Sequence, residues 1–285
     1  MARSLAFFSV HPVFTRAEFA AASVSENGRT VDSLLRYHVA RRHVVRVRRD
    51  LYAVVPSGAD PDTFQPDAYL TAGYASPSAV ISYHSALEFH GLAYAAHPGR
   101  VIATTTEATR AFEFRGREFR FVRPPRSLLR AAARELDTSA AAVAGASTRS
   151  DRPRPETPLT VSRGGLPLQV TTPERTIVDV LDRPDLGDGL VATWIALSGL
   201  GAVRIDGIID YVERLGHRGT AGLVGLLLSQ LPPEAGVGSA QLDRLQALAP
   251  RRPVYVGGRE GAKLARPWNV FVPAGLLAPI AEMAT

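Results

Sequence analysis

Ten side chains between residues 29 and 49 carry the chemistry most easily named in this sequence: Arg29, Thr30, Ser33, Arg36, Tyr37, Arg41, Arg42, Arg46, Arg48 and Arg49. Guanidinium forks neutralise phosphates and can take a guanine edge in bidentate fashion, while hydroxyls hydrogen-bond to bases or phosphates. Six arginines and no acid fall between Arg36 and Arg49. Thr30, Ser33, Arg36 and Tyr37 would face a major groove, with Arg36 contacting a base edge. Arg41, Arg42, Arg46, Arg48 and Arg49 would neutralise the backbone beside it. If about four of these do so, log K should fall with log salt at a slope of about −3.6.

Other constellations are thinner. His84 and Glu88 stand at i, i+4 and could share a metal or a proton, but no H-E-x-x-H spacing or third ligand accompanies them. A histidine bonded to a backbone carbonyl or to solvent is the expectation. Arg175 and Asp179, at the same spacing, are expected to pair on a helix surface. The run from Gly257 to Lys263 lacks the glycine spacing of a phosphate loop and places Leu264 where a magnesium-holding hydroxyl is needed. Glu260 and Lys263 are one residue too far apart for the acid-x-Lys pair of metal-dependent nucleases. Phe112, Phe114, Phe119 and Phe121 could stack bases, yet their alternation assigns all four to a buried face. No catalytic residue, metal or cofactor emerges, and a non-enzymatic role is expected.

The basic set needs a helix and a hairpin to hold it. Thr15-Arg16-Ala17-Glu18 has the capping-box form and predicts a helix over 16–22, closed by the polar run 23–28. Thr30 can cap the next helix, with Asp32 in its first turn. Val31, Leu34, Leu35 and His38 share one face of that helix, leaving Arg29, Ser33, Arg36, Tyr37 and Ala40 on the other. The β-branched alternation over 44–48, a turn at Arg49-Asp50 and a return strand over 51–55 predict a hairpin. Two helices and a hairpin in this order have the layout of a winged helix-turn-helix, expected over 1–56. Residues 57–66 form a proline-rich linker, and 67–285 a second domain.

In that second domain helices are expected over 67–75 and 78–91, a strand over 101–106 and a hairpin over 112–122. The segment 137–158 is poor in large apolar residues and is expected to be a mobile loop. Strands resume near 159–161 and 168–170. Thr172-Pro173-Glu174 starts a helix running to about 181, followed by helices near 190–197, 205–215, 221–231 and 240–248. Strands near 254–256 and 269–272 close the chain. Strands early and helices late predict an α+β fold: an N-terminal winged helix-turn-helix followed by a larger mixed α/β C-terminal domain.

Charge and composition agree with that division. Of a net charge of +6, residues 1–60 hold nine arginines against five acids. The excess is therefore concentrated where a nucleic-acid footprint is expected. Lys263 is the single lysine; a preference for Arg explains the type of base, not its clustering. Absence of cysteine excludes disulfides, thiolate nucleophiles and cysteine metal sites. The first ten residues are too weakly apolar for a signal peptide, and the longest apolar stretch, 221–231, is too short to span a bilayer. A cytoplasmic protein with no membrane partner is expected.

Six stretches, in order, resemble one family. They are Arg-Val-Arg-Arg-Asp-Leu-Tyr-Ala-Val (46–54), Pro-Asp-Ala-Tyr-Leu (66–70), Ser-Tyr-His-Ser-Ala-Leu-Glu-Phe-His-Gly (82–91), Thr-Thr-Pro-Glu-Arg-Thr-Ile-Val-Asp-Val-Leu (171–181), and the pair formed by 211–216 with Trp268-Asn269-Val270. Together they resemble the AbiEi family, the antitoxins of type IV toxin–antitoxin systems, over about 14–273. Two departures stand out: Asp50 where the wing turn usually has glycine, and the insert 137–158. The resemblance implies a head that binds double-stranded operator DNA and represses its own operon, with a C-terminal domain that counters a nucleotidyltransferase-like toxin. Direct binding of that toxin, and assembly into a multimer on DNA, are left open. A competing class is a one-component winged-helix regulator whose C-terminal domain senses a ligand. An enzyme acting on nucleic acid would need clustered carboxylates around a metal, which the sequence does not offer.

Overall fold

The computed structural model describes residues 2–23, 30–93, 95–129, 154–197 and 203–277. The chain is a mixed α+β protein with two compact units. Unit one comprises Met1–Ile81, His97–Arg123 and Leu159–Val170; unit two comprises Ser82–Ala96, Pro124–Pro158 and Thr171–Thr285. The N-terminal 56 residues thus share a unit with the strands of a large sheet. No helix among the described residues is long and apolar enough to cross a membrane.

Unit one begins with α1 (Ala2–Val10), β1 (Val13–Thr15), α2 (Arg16–Ala22), α3 (Val31–Ala40), β2 (Val44–Arg48) and β3 (Leu51–Val54). The capping box forms as its residues require. Glu18 N–H donates to Thr15 Oγ1 (3.2 Å), and Thr15 N–H donates to Glu18 Oε2 (2.7 Å). The strands form an antiparallel sheet in the order β1-β3-β2. Phe7, Phe8, Phe14, Phe19, Leu34, Leu35, Val44 and Tyr52 make one core cluster beneath them. Phe7 and Phe8 come from α1 and Phe14 from β1, two elements that periodicity did not announce. At the β2–β3 turn Asp50 takes φ +62°, a left-handed conformation that aspartate tolerates better than most residues. An aspartate can therefore stand where glycine is usual. A bulge between Arg46 and Arg48 shifts the strand's phase, so Val44 and Val47 both point inward.

The same unit holds a six-stranded sheet, order β6-β7-β5-β4-β9-β8, made of β4 (Val80–Ile81), β5 (Arg100–Thr104), β6 (Phe112–Phe114), β7 (Arg117–Val122), β8 (Leu159–Arg163) and β9 (Leu166–Val170). Pairs β7–β5 and β4–β9 are parallel, the others antiparallel. Helix α4 (Ala68–Tyr74), capped by the Asp67 carboxylate, packs on β4, β5 and β9. Of the four phenylalanines expected inside, only Phe119 is fully buried, while Phe112, Phe114 and Phe121 are half-covered. Phe112 and Phe114 lie on β6, a three-residue strand at the edge of this sheet, which gives them less cover than Phe119 on β7.

Unit two is mainly helical: α5 (Tyr83–Phe89), α6 (Pro173–Asp182), α7 (Leu190–Leu197), α8 (Ile205–Leu215), α9 (Arg218–Gln230) and α10 (Ser239–Leu248). Helix α5 is shorter than the expected 78–91 because Val80–Ile81 join the large sheet as β4. A small sheet, order β10-β12-β11, is built of β10 (Val254–Tyr255), β11 (Ala262–Ala265) and β12 (Val270–Pro273). Helix α6 is the hub, packed against α5, α7, α8 and α9. Glycines let α9 approach Trp268: a Cβ on Gly225 would fall 2.2 Å from Trp268 Cζ3. Of the expected loop, residues 137–153 lie outside the described residues. Residues 154–158 are held to α6, where Pro155 O accepts from Thr172 Oγ1 (3.1 Å) and Glu156 O from Arg175 Nη1 (3.0 Å).

Candidate nucleic-acid interface

Helix α3 is amphipathic in the sense its sequence requires. Leu34, Leu35 and His38 are buried, Ser33 and Tyr37 half-buried, and Arg36 and Ala40 exposed. Thr30 is its N-cap, accepting from Ser33 N–H (3.3 Å), and the two hydroxyls lie 3.0 Å apart. Arg36 keeps an open guanidinium, with Nε donating to Asp32 O at 3.3 Å. Arg41 leans over the Tyr37 ring at 5.7 Å. Arg29 lies outside the described residues.

The acid nearest this face is already compensated. Asp32 receives a two-point contact from Arg16 on α2, Nε to Oδ1 at 2.7 Å and Nη2 to Oδ2 at 3.1 Å. That hydrogen bond holds the Asp32 carboxyl below the ordinary carboxylate range. The two helices are thus tied at their solvent edge as well as through the core.

The five arginines expected to meet phosphates divide into two sets. Arg41, Arg46 and Arg49 are exposed. Arg46 Nε donates to Arg48 O (3.3 Å), and Arg49 lies 3.6 Å from its neighbour Asp50. Arg42, at φ +60°, instead makes an ion pair with Asp62 at 3.0 Å. Arg48 is half-buried with its guanidinium 4.9 Å from the centre of the Phe112 ring. Asp62 and Phe112 were invisible as partners because they come from the linker and from β6, remote in sequence.

His38 sits beneath this surface, edge-on to Phe8 at 4.8 Å between ring centres. Its Nδ1 lies 3.1 Å from His43 Nδ1, and its Nε2 has no partner among the described residues. Burial, reinforced by His43, lowers its pKa to about 4.

Unit two assembles polar groups that serve its interior. Arg175 and Asp179 do pair, Nε to Oδ2 at 3.1 Å, but with both side chains buried rather than on a helix surface. The hub position of α6 covers them, and Tyr211 on α8 donates its hydroxyl to Asp179 Oδ1 at 2.6 Å. Burial pushes the Asp179 carboxyl up, against the pull of Arg175 and Tyr211. Burial also pushes the Tyr211 phenol up, with Asp179 adding to it. His84 likewise departs from expectation, since its neighbours are carboxylates: Glu88 Oε1 at 3.2 Å from Nε2 and Asp188 Oδ2 at 3.1 Å from Nδ1. Asp188 carried no local signal, for it arrives from a loop a hundred residues downstream. Lys263 lies exposed on β11.

The whole chain is similar in fold to the crystal structure of the RV2827C protein from Mycobacterium tuberculosis, with a TM-score of 0.55. The likeness covers 99% of this chain and 93% of that one at 17% identity. It speaks for the mixed α+β fold. No protein-family model and no curated protein matches the chain.

Proposed function

We propose that residues 1–56 form a winged helix-turn-helix that binds double-stranded operator DNA, with α3 as recognition helix and the β2–β3 hairpin as wing. One observation carries this reading: α3 buries Leu34, Leu35 and His38 while keeping Arg36 open, beside a hairpin whose Arg46 and Arg49 are exposed. Compensation of Asp32 by Arg16 removes a repulsive charge from the same face. We further propose, on the resemblance to the AbiEi family, that the protein represses its own operon in the cytoplasm. On the same ground the remainder of the chain counters a nucleotidyltransferase-like toxin, as a binding protein rather than an enzyme.

Fluorescence anisotropy with a duplex from upstream of the operon, over a salt series, tests the DNA reading. Because Arg42 and Arg48 are engaged within the protein, Arg41, Arg46 and Arg49 are left for phosphates, giving a slope of log K on log salt of about −2.7. The double variant Arg46→Ala/Arg49→Ala should flatten it by about 1.8 and weaken all duplexes alike. An unchanged slope refutes the wing assignment.

A further inference from the structure

A cleft of about 340 Å³ in unit one is bounded by the start of α2, the end of α4 and β9. That volume falls in the range of small-molecule sites, roughly 300–1,000 Å³. Pro77, Ala79, Pro167 and Leu168 give it an apolar lining. Gly73, also on the lining, lets α4 approach β9 closely, since a Cβ there would stand 2.7 Å from Leu168 Cδ1.

Two polar groups line the same cleft without a protein partner to occupy them. Glu18 commits Oε2 to the capping box, accepting from Thr15 N–H and from Thr15 Oγ1 (2.8 Å). Its Oε1 has no hydrogen bond, and the carboxylate no ion pair, among the described residues. The Tyr74 hydroxyl likewise has no hydrogen-bond partner among them. Burial, with the Glu18 charge adding to it, pushes the Tyr74 phenol up and keeps it a neutral hydroxyl. An anionic ligand would meet Glu18 with no cation to offset it. A wholly apolar one would strip water from two unsatisfied polar groups. One carboxylate is too few for a hard metal ion, which takes six or more oxygens.

We propose that this cleft binds a small organic ammonium ion: a flat apolar body on the proline–leucine lining, with the charged head donating hydrogen bonds to Glu18 Oε1 and to the Tyr74 hydroxyl oxygen. The site does not depend on DNA binding, and its test does not use DNA.

The probe is phenethylamine, titrated into the full chain by calorimetry and by amide NMR at neutral pH. Saturable binding is expected with Kd below about 1 mM, with shifts at the amides of Glu18, Tyr74 and Leu168. Glu18→Gln retains an acceptor for the capping box and should weaken the amine about tenfold, a change of about 1.4 kcal/mol. The uncharged isostere 2-phenylethanol should bind the unaltered protein about tenfold more weakly than the amine and be indifferent to Glu18→Gln. Gln169→Trp, at the rim and away from the cap, should close the cleft and abolish binding of both. Absence of amine binding, shifts confined to other regions, equal affinity for the alcohol, or an unchanged Kd in Glu18→Gln with the fold intact by circular dichroism would each overturn the proposal.

Discussion

At Arg36 and His38 one helical turn serves two opposed purposes. Arg36 is exposed with a single long tether to Asp32 O, so a guanine edge can capture its fork at little cost in lost contacts. On the proposed reading, Arg36→Ala should cost about 1–3 kcal/mol of operator discrimination and relax preference at one base pair. A competition assay with single-base operator variants checks this. His38 is the counterpart beneath. Its pKa, lowered to about 4 by burial and by His43, lies below the unfolded value of about 6.5. The folded state therefore favours the neutral ring. Its stability contribution is complete above pH 6.5 and is lost as pH falls from 6.5 toward 4, where the unfolded chain binds the proton first. Denaturant midpoints measured across that window should decline with acid, and His38→Phe should remove that part of the slope. Arg42 offers a third test. Asp62→Asn frees its guanidinium, and the salt slope for DNA should steepen by about 0.9.

Among the elements, α2 and α3 were legible because their signals are local. Thr15 and Glu18 are three residues apart, as are Thr30 and Ser33, and the apolar face of α3 repeats with helical period. The β6–β7 hairpin and the proline-led start of α6 were legible for the same reason. Strands β1 and β4 were not, since two or three residues carry no period and gain their pairing only from the folded chain. Helix α6 misled in a different way. Polar residues at i, i+4 read as a surface face, but Glu174, Arg175, Thr176 and Asp179 are all buried because helices surround them. Removing one member of that buried pair leaves the other uncompensated. Asp179→Ala should therefore cost about 3–5 kcal/mol in chemical denaturation. Helix α9 gives a second case in which packing overrides propensity. Gly225→Ala gains up to about 1 kcal/mol of helix propensity on an open surface, yet here its methyl meets the Trp268 ring. A net loss of about 1–3 kcal/mol is expected from the overpacking, read as a lowered Tm.

For the whole molecule, the N-terminal helices and hairpin belong to the same compact unit as the six-stranded sheet. No single window of sequence could reveal this, because β5 to β9 return to that unit after excursions elsewhere. On the proposed reading the two functions should separate in cells. With the cognate toxin expressed, a chain carrying Arg36→Ala should still rescue growth while losing repression of a promoter fusion. Loss of both together would mean that the two roles are not separable. The contact between Arg48 and Phe112 reaches further than its modest energy. It ties the hairpin to β6 within the same unit, so on the proposed reading the wing is already held in place before DNA binds. Complex formation then needs no folding of the wing, and the heat-capacity change on association should be small, rising only when Phe112 is truncated to alanine and the tip must be ordered by its target.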